Sequence, residues 1–201
     1  MKIIESIIVN VLEALYQSLF SAIVLSVFFM FAYLYSTDTK MRGKGWKNSV
    51  RRWLNLFRTS SKFREIFYFV LYSALILFRT LLCRNIWVRP LSDVFGGWTL
   101  YTFDSSGHGT LTTESIENIV LFIPFAFMLS KFLVENNNNR MKGIVYVTNV
   151  SVCIELCQLF LRIGTFQFSD IFYNTLGGII GVFLNMFWDK IKERIYCFFN
   201  L

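Results

Sequence analysis

The sequence is poor in charged residues, proline and histidine. Only 16% of its 201 residues are Asp, Glu, Lys or Arg, and it has two prolines and one histidine. Because 55% of the residues are hydrophobic, a chain of this length cannot hide its apolar surface inside a soluble domain. The charged residues are bunched, and long uncharged stretches separate the bunches. This pattern predicts an all-α fold, a polytopic transmembrane helical bundle.

Motifs of several enzyme and binding classes are also missing. The sequence has no HExxH, CxxC, P-loop or GxGxxG pattern, and its four cysteines and single histidine lack metal-site spacing. We therefore expect no metal and no cofactor. His108 stands between two glycines, which is typical of a solvated loop histidine. The net charge of +7 comes without a nucleic-acid recognition motif, so basic loops at an anionic membrane surface explain it better than nucleic acid does.

Five apolar segments are long enough, at about 1.5 Å per residue, to approach the ~30 Å hydrocarbon core of a bilayer. They are Ile7–Tyr35, Ile66–Leu82, Ile116–Phe132, Gly143–Leu161 and Ile171–Phe187. The run E-N-N-N-N at 135–139 predicts a turn between the third and the fourth. We expect residues 1–65 to form the first helix and a basic loop, residues 66–187 the transmembrane core, and residues 188–201 a basic tail.

Basic residues divide unequally between the two sides of the predicted bundle. Fifteen of the 20 lie on the side of the loop that joins the first two segments, and four lie on the other side. By the positive-inside rule, we predict that the N-terminus is outside and the C-terminus is cytoplasmic. The stretch from Thr37 to Lys62 carries Trp46 and Trp53 among its bases, which favours an amphipathic helix on the inner leaflet.

Polar side chains recur at the predicted outer ends of the segments. Glu155, Gln158 and Arg162 share one face of the fourth segment, and Asp170 and Asn174 open the fifth. A charge at mid-bilayer costs about 2.5–3.5 kcal/mol on insertion scales, so such residues are rarely accidental. The other members of this outer set are Asn10, Glu13, Gln17, Ser21, Arg79, Glu117 and Asn118.

Two interpretations of the outer set are open. Its carboxylates could pair with arginines and fix the register of the helices, or they could line a polar cavity that binds a ligand. We expect structural pairing for Arg79 and Glu13. We expect a cavity for Glu155, Gln158 and Asp170, because these three coincide with a family motif described below.

Gly177 and Gly181 form a G-x-x-x-G pattern in the fifth segment. Small residues at this spacing let two helices approach closely. We expect this face to pack inside the bundle, and the alternative is an oligomer that forms through the same two glycines.

Three stretches of the chain resemble the VanZ-like family of bacterial membrane proteins. Arg89-Pro90 is similar to the arginine that precedes the third helix of that family. The segment E-N-I-V-L-F-I-P-F-A-F at 117–127 resembles the family's N-x-x-x-F-x-P-F-G. The stretch 155–181 resembles E-x-x-Q, then I-G-T-F-D-I-D-D, then N-T-x-G-x-x-x-G. All three fall within residues 70–187, and their combination is specific although each piece alone is weak.

The chain departs from the family's F-D-I-D-D segment. Gln167 and Ser169 stand at two of its acidic positions, and only Asp170 remains. The resemblance implies a multi-pass protein of the bacterial cell membrane. The family's named member is associated with low-level resistance to the glycopeptide antibiotic teicoplanin, so the resemblance implies, by analogy, a role in the cell envelope and in antibiotic resistance.

We predict an outward-facing pocket that binds its ligand through Arg89, Asn118, Glu155, Gln158, Asp170 and Asn174. The partners would be the lipid bilayer and a lipid-linked or glycopeptide ligand at the outer leaflet, whose anionic headgroup Arg89 would attract. One alternative is an enzyme for a lipid-linked envelope substrate, with Glu155 and Asp170 as catalytic acid and base. Another is a small transporter or helper subunit, for which a helix broken at Pro124 is the only hint.

Overall fold

The computed structural model describes residues 2–37, 45–82, 86, 89–99, 101–103, 107, 109–133 and 141–199. The helices within these residues are α1 (Lys2–Thr37), α2 (Gly45–Thr59), α3 (Ser61–Leu77), α4 (Glu114–Leu133), α5 (Lys142–Leu161) and α6 (Phe168–Phe199). A π-helical turn, Phe78–Leu82, extends α3. Between α3 and α4, two short antiparallel strands, β1 (Tyr101–Phe103) and β2 (Gly109–Leu111), form a hairpin.

Five of these helices are long and apolar enough to cross a membrane. Their spans are Ile8–Thr37, Ser61–Leu82, Glu114–Leu133, Lys142–Leu161 and Phe168–Ile195. Each one contains or closely overlaps a segment predicted above, so the all-α bundle of five spans is confirmed, with the small hairpin as an addition. His108 and the predicted turn at 135–139 lie outside the described residues.

The helix ends follow from local chemistry. Ser60 caps α3, because its hydroxyl oxygen accepts a hydrogen bond from the backbone N–H of Phe63 at 3.2 Å. The helix α5 ends where Arg162 takes a left-handed φ of 57°. In contrast, α4 continues through Pro124. The hint that this proline breaks a helix is therefore not supported by the structure.

The packing of α4 against α6 is the most extensive between two spans among the described residues. A Cβ on Gly177 would overlap the carbonyl oxygen of Ile119, and a Cβ on Gly181 would overlap that of Ile123. The contacts advance in the same direction along both helices, so α4 and α6 run parallel. The glycine face thus packs inside the bundle, as expected, and an oligomer through it stays a prediction.

The helices α1, α2 and α3 meet at the end of the molecule that lies away from the starts of α4 and α6. Met30, Leu34, Phe63 and Phe67 form a buried cluster there. Trp53 of α2 packs edge-on against Phe67, with the ring centroids 5.8 Å apart. The segment around Trp53 is helical, as predicted, and its place on the inner leaflet stays a prediction. We call this the basic end, and we call the end where α4 and α6 begin the site end.

Only part of the outer set on the first segment faces the bundle, since Asn10 and Ser21 are half-buried. Glu13 and Gln17 are exposed, whereas Ser18, Ala22 and Ser26 are buried. The buried face of α1 is therefore made of small residues from Ser18 to Ser26, which allow close helix packing, and of the larger Met30 and Leu34 nearer its end. Periodicity alone could not separate the two faces, because both carry polar residues at helical spacing.

Candidate functional site

The end of α5 brings a carboxylate against the backbone of the segment that follows it. Glu155 is only 1% exposed, and its Oε2 accepts a hydrogen bond from the backbone N–H of Gln167 at 2.9 Å. The left-handed residue Arg162 and Gly164, at φ 86°, turn the chain back so that this contact can form. The contact satisfies a buried backbone donor that would otherwise be unpaired.

Gln158 joins α5 to the π-helical turn that ends α3. Its Nε2 donates a hydrogen bond to the carbonyl oxygen of Thr80 at 2.8 Å. π-Helical turns often mark functional positions, because they displace backbone groups from the regular helical ladder. Among the described residues, no donor lies within hydrogen-bonding distance of the buried Oε1 of Gln158. Buried oxygens of this kind normally accept a hydrogen bond from protein, water or a ligand.

The start of α6 is tied to its two neighbouring helices through polar side chains. Asn118 of α4 donates to Asp170 Oδ1 at 2.8 Å, and Asn174 donates to Ser151 Oγ of α5 at 2.9 Å. All four residues are buried. Asn174 Oδ1 is a second buried acceptor that has no donor within the part of the chain that the structure describes.

A loop, residues 89–99, covers the start of α6. Its backbone carbonyls at Pro90 and Val94 accept from the N–H groups of Phe166 and Phe168, at 2.9 and 3.1 Å. Its Asp93 accepts, through Oδ2, a hydrogen bond of 2.8 Å from Gln167 Nε2. The loop is therefore held on α6 by main-chain and side-chain bonds at once, and we call it the covering loop.

Gly97 is the point at which the covering loop comes closest to α6. Its φ of +76° and its approach to Ser169 both favour glycine, since a Cβ there would overlap Ser169 Oγ and lie 2.8 Å from Gln167 Oε1. The Gly97 carbonyl in turn accepts from Ser115 Oγ of α4 at 2.9 Å. Gly97 thus connects the covering loop with both α4 and α6.

A cavity of about 80 Å³ lies beneath the covering loop. Three carboxylates line it, from Asp93, Glu114 and Asp170. The other described residues that line it are Gly97, Thr99, Thr112, Ser115 and Gln167. The cavity is therefore small, and its described lining is mostly polar.

A second polar network connects α1, α3 and α4 near the cavity. Arg79 pairs with Glu117 Oε2 at 2.6 Å, and Thr113 donates to Glu117 Oε1 at 2.6 Å. Asn10 of α1 donates to Thr113 Oγ1 at 3.0 Å. The Arg79 side chain is 33% exposed and the Glu117 side chain 14%. The structural pairing expected for Arg79 is thus present, and its partner is Glu117.

The six predicted binding residues fall into two groups. Five are buried at the site end, and they are Asn118, Glu155, Gln158, Asp170 and Asn174. Arg89 is exposed on the covering loop, four residues before Asp93. The binding role of each stays a prediction. In the parts of the chain that the structure describes, no group of three or more His, Cys, Asp or Glu is arranged to hold a metal ion.

Sequence reasoning missed part of the site. Asp93 and Gly97 were not singled out, although the Gly96-Gly97 pair marks a tight loop. Gln167 and Ser169 were treated as losses relative to an acidic pattern. The structure shows both of them buried within the site, where Gln167 bonds Glu155 through its backbone and Asp93 through its side chain.

Comparisons with known proteins agree with this architecture. The model of the VanZ/LLP1 family matches residues 18–189. Protein VanZ of Enterococcus faecium is 32% identical over 73 residues, and the match covers 34% of this chain and 42% of that protein. The chain therefore spans less than half the length of this curated relative. No solved structure matches the chain. Because the family model covers most of the sequence, from within α1 to within α6, the chain belongs to the VanZ/LLP1 family.

Proposed function

We propose that this VanZ-like membrane protein lies in the bacterial cell membrane with its site end outside, and that it lowers susceptibility to lipophilic glycopeptide antibiotics. The observation that carries the proposal is the position of the buried polar site. Glu155, Gln158 and Asp170 lie at the end of the bundle opposite the basic helix α2 and the basic end of α6. By the positive-inside rule, that end faces outward.

The antibiotic part of the proposal comes from the family. Its named member is associated with teicoplanin resistance, and the match to the enterococcal protein covers only part of each chain. The site could act on the outer leaflet by binding an envelope molecule that influences access of the drug. Exposed Arg89 would meet an anionic headgroup first, and buried Asn118 and Gln158 would orient it.

The direct test is teicoplanin susceptibility in a sensitive bacterial host. Four strains are compared at matched membrane levels, carrying empty vector, wild type, Arg89→Ala or Glu155→Gln. We expect the wild type to raise the minimum inhibitory concentration and both variants to return it to the vector value. Absence of protection by wild type at confirmed membrane expression would remove the antibiotic role for this protein.

An enzyme for a lipid-linked envelope substrate is the second candidate. The observation that favours it is the position of Gln167, which lies between Glu155 and the cavity that Asp170 lines. Its N–H bonds Glu155, and it lines the same cavity as Asp170. Acid–base catalysis needs two carboxylates near one substrate. Under this alternative, Glu155→Gln would still bind the substrate normally and fail to turn it over, whereas at a pure binding site its loss of protection would come with a loss of ligand binding.

A further inference from the structure

The covering loop carries large apolar side chains on its outer surface. Phe95 is 79% exposed, and Leu91 and Trp98 are exposed as well. Phe95 packs on Phe168 with the ring centroids 5.6 Å apart, and Trp98 packs on Phe172 at 5.5 Å. Phe168 and Phe172 lie one turn apart on α6 and are themselves exposed. The loop and the first two turns of α6 thus form one exposed apolar surface, which we call the aromatic patch.

The charges on α6 indicate how deep the aromatic patch lies in a bilayer. Residues 171–188 carry no charged side chain, and Asp189 and Lys190 follow them. A hydrocarbon core of ~30 Å needs about 20 residues of helix. Counted back from Asp189, this length reaches Ser169. The start of α6, and with it the aromatic patch, therefore lies at the boundary between the hydrocarbon core and the headgroups.

The helix α5 indicates the same depth independently. It begins at Lys142 and has 20 residues, which is the length that the hydrocarbon core requires. Its last two residues, Phe160 and Leu161, are 80% and 63% exposed. Exposed apolar surface of this extent marks contact with a membrane or with another protein. The lipid-facing surface of α5 thus continues to the level of the aromatic patch.

The main chain of the covering loop is suited to a place beside lipid. Irregular backbone at membrane depth is tolerated only where its polar groups are satisfied by protein or by water. One donor to the loop is the Tyr173 hydroxyl, which lies 3.3 Å from the carbonyl oxygen of Trp98. Six carbonyl groups of the loop accept hydrogen bonds, and they belong to Arg89, Pro90, Asp93, Val94, Gly97 and Trp98. The loop therefore meets a condition that an irregular segment must meet to lie at this depth.

We propose that the covering loop is an interfacial element, whose Leu91, Phe95 and Trp98 side chains lie among the phospholipids of the leaflet at the site end. Tryptophan is enriched at this depth because its ring is amphipathic. Exposed Arg89, at the start of the loop, can extend its guanidinium group to the lipid phosphates. Thr99 lines the polar cavity and is not part of the aromatic patch.

This inference deepens the proposed function, and it rests on that function for the identity of the leaflet as the outer one. It makes lipid, and not the aqueous phase, the neighbour of the covering loop. The class of ligand that reaches the site is then one carried in the leaflet, with an acyl or other apolar anchor. Such a ligand enters from the bilayer beside the loop.

The test uses full-length protein in vesicles of phosphatidylcholine and phosphatidylglycerol, after its four cysteines are changed to serine. A nitroxide label is attached at Phe95→Cys or, as a second position in the loop, at Leu91→Cys. Power-saturation electron paramagnetic resonance measures collisions of the label with oxygen, which concentrates in lipid, and with a water-soluble nickel chelate. Phe183→Cys, exposed in the middle of α6, is the lipid control, and Lys142→Cys, exposed at the start of α5, is the water control.

We expect the labels at Phe95→Cys and Leu91→Cys to resemble the lipid control. Each should lose most of the nickel collisions that the label at Lys142→Cys shows, and its oxygen collisions should exceed its nickel collisions. Both native side chains are largely exposed, so their replacement should leave the fold intact. The unfolding midpoint of each labelled variant verifies this.

Nickel collisions as frequent as those of the water control would overturn the proposal, because the loop would then lie in water. Few collisions with either reagent would also overturn it. In that case, spin–spin broadening that disappears on dilution with unlabelled protein would assign the aromatic patch to a contact with a second copy of the chain. Without such broadening, the patch would be covered by the same chain.

The label reports depth and not the side of the membrane, and no antibiotic enters the assay. Its outcome is therefore separate from that of the susceptibility experiment. A loop in lipid, in a protein that gives no protection, would retain the interfacial element and remove the resistance role. Protection by a protein whose loop lies in water would retain the resistance role and remove access through the leaflet.

Discussion

Replacing Gly181 with alanine is expected to destabilise the protein strongly, and the double change with Gly177→Ala is expected to prevent it from accumulating in the membrane. The new Cβ at Gly181 would overlap Ile123 O and lie 2.8 Å from Ala126 Cβ. Main-chain atoms cannot rotate away as a flexible side chain can, so α4 and α6 must separate. Overpacking of this kind costs about 1–3 kcal/mol for one added group. The measurement is the unfolding midpoint of the purified variant in mild detergent.

The comparison variant is Gly178→Ala on the neighbouring face. Its Cβ would meet a methyl group of Val147 at 2.7 Å, which is a side chain of α5 and not the main chain of α4. We expect a smaller loss of stability there. If Gly178→Ala destabilises as much as Gly181→Ala, the main-chain contact between α4 and α6 is not what limits the packing.

The glycine contact also matters for the site. It sets the separation of α4 and α6, and these helices carry Asn118 and Asp170, whose side chains are hydrogen-bonded at 2.8 Å. A shift of one helix would break this bond and leave a buried carboxylate without its amide partner. Stability and site geometry are thus coupled through one helix pair.

Glu155→Ala is expected to lower the free energy of unfolding by about 2–4 kcal/mol, and Glu155→Gln by less than about 1 kcal/mol. Alanine leaves the buried N–H of Gln167 without an acceptor and creates a cavity, whereas glutamine still offers an oxygen at the same place. Unfolding in detergent measures both. Glu13→Ala, an exposed carboxylate of α1, is the control and should change little.

An equal loss of stability in Glu155→Gln and Glu155→Ala would contradict this account, since the negative charge itself would then be required. The stability of Glu155→Gln also decides how the teicoplanin susceptibility experiment is interpreted. If Glu155→Gln is stable, its loss of antibiotic protection cannot be attributed to unfolding.

The five membrane spans could be predicted from the sequence alone, because long apolar runs and a period of 3.6 residues are local signals. Ser60 and Gly164 lie at boundaries in the structure, and although residues of these types often mark such positions, neither was predicted to do so above. The pairing of Arg79 with Glu117 could be foreseen only as one of several combinations. Which acid meets which base depends on how helices distant in sequence pack, and that is not a local property.

The site itself was predicted only in part. Glu155, Gln158 and Asp170 carried a helical spacing and a motif. The bond from Gln167 to Glu155 depends on the left-handed turn at Arg162, and the bond from Gln167 to Asp93 depends on the path of the covering loop. Neither has a periodic signature. The path of a loop that is held by a few long-range hydrogen bonds therefore cannot be predicted from residue patterns.

Labelling with a membrane-impermeant maleimide reports whether the site end faces outward. All four cysteines are first changed to serine, and a single cysteine is then placed at Thr99, beside the cavity, or at Asn48, on α2 at the basic end. We expect Thr99→Cys to be labelled in intact cells and Asn48→Cys to be labelled only after permeabilisation. Labelling of Asn48→Cys but not Thr99→Cys in intact cells would place the site on the cytoplasmic side and contradict the account.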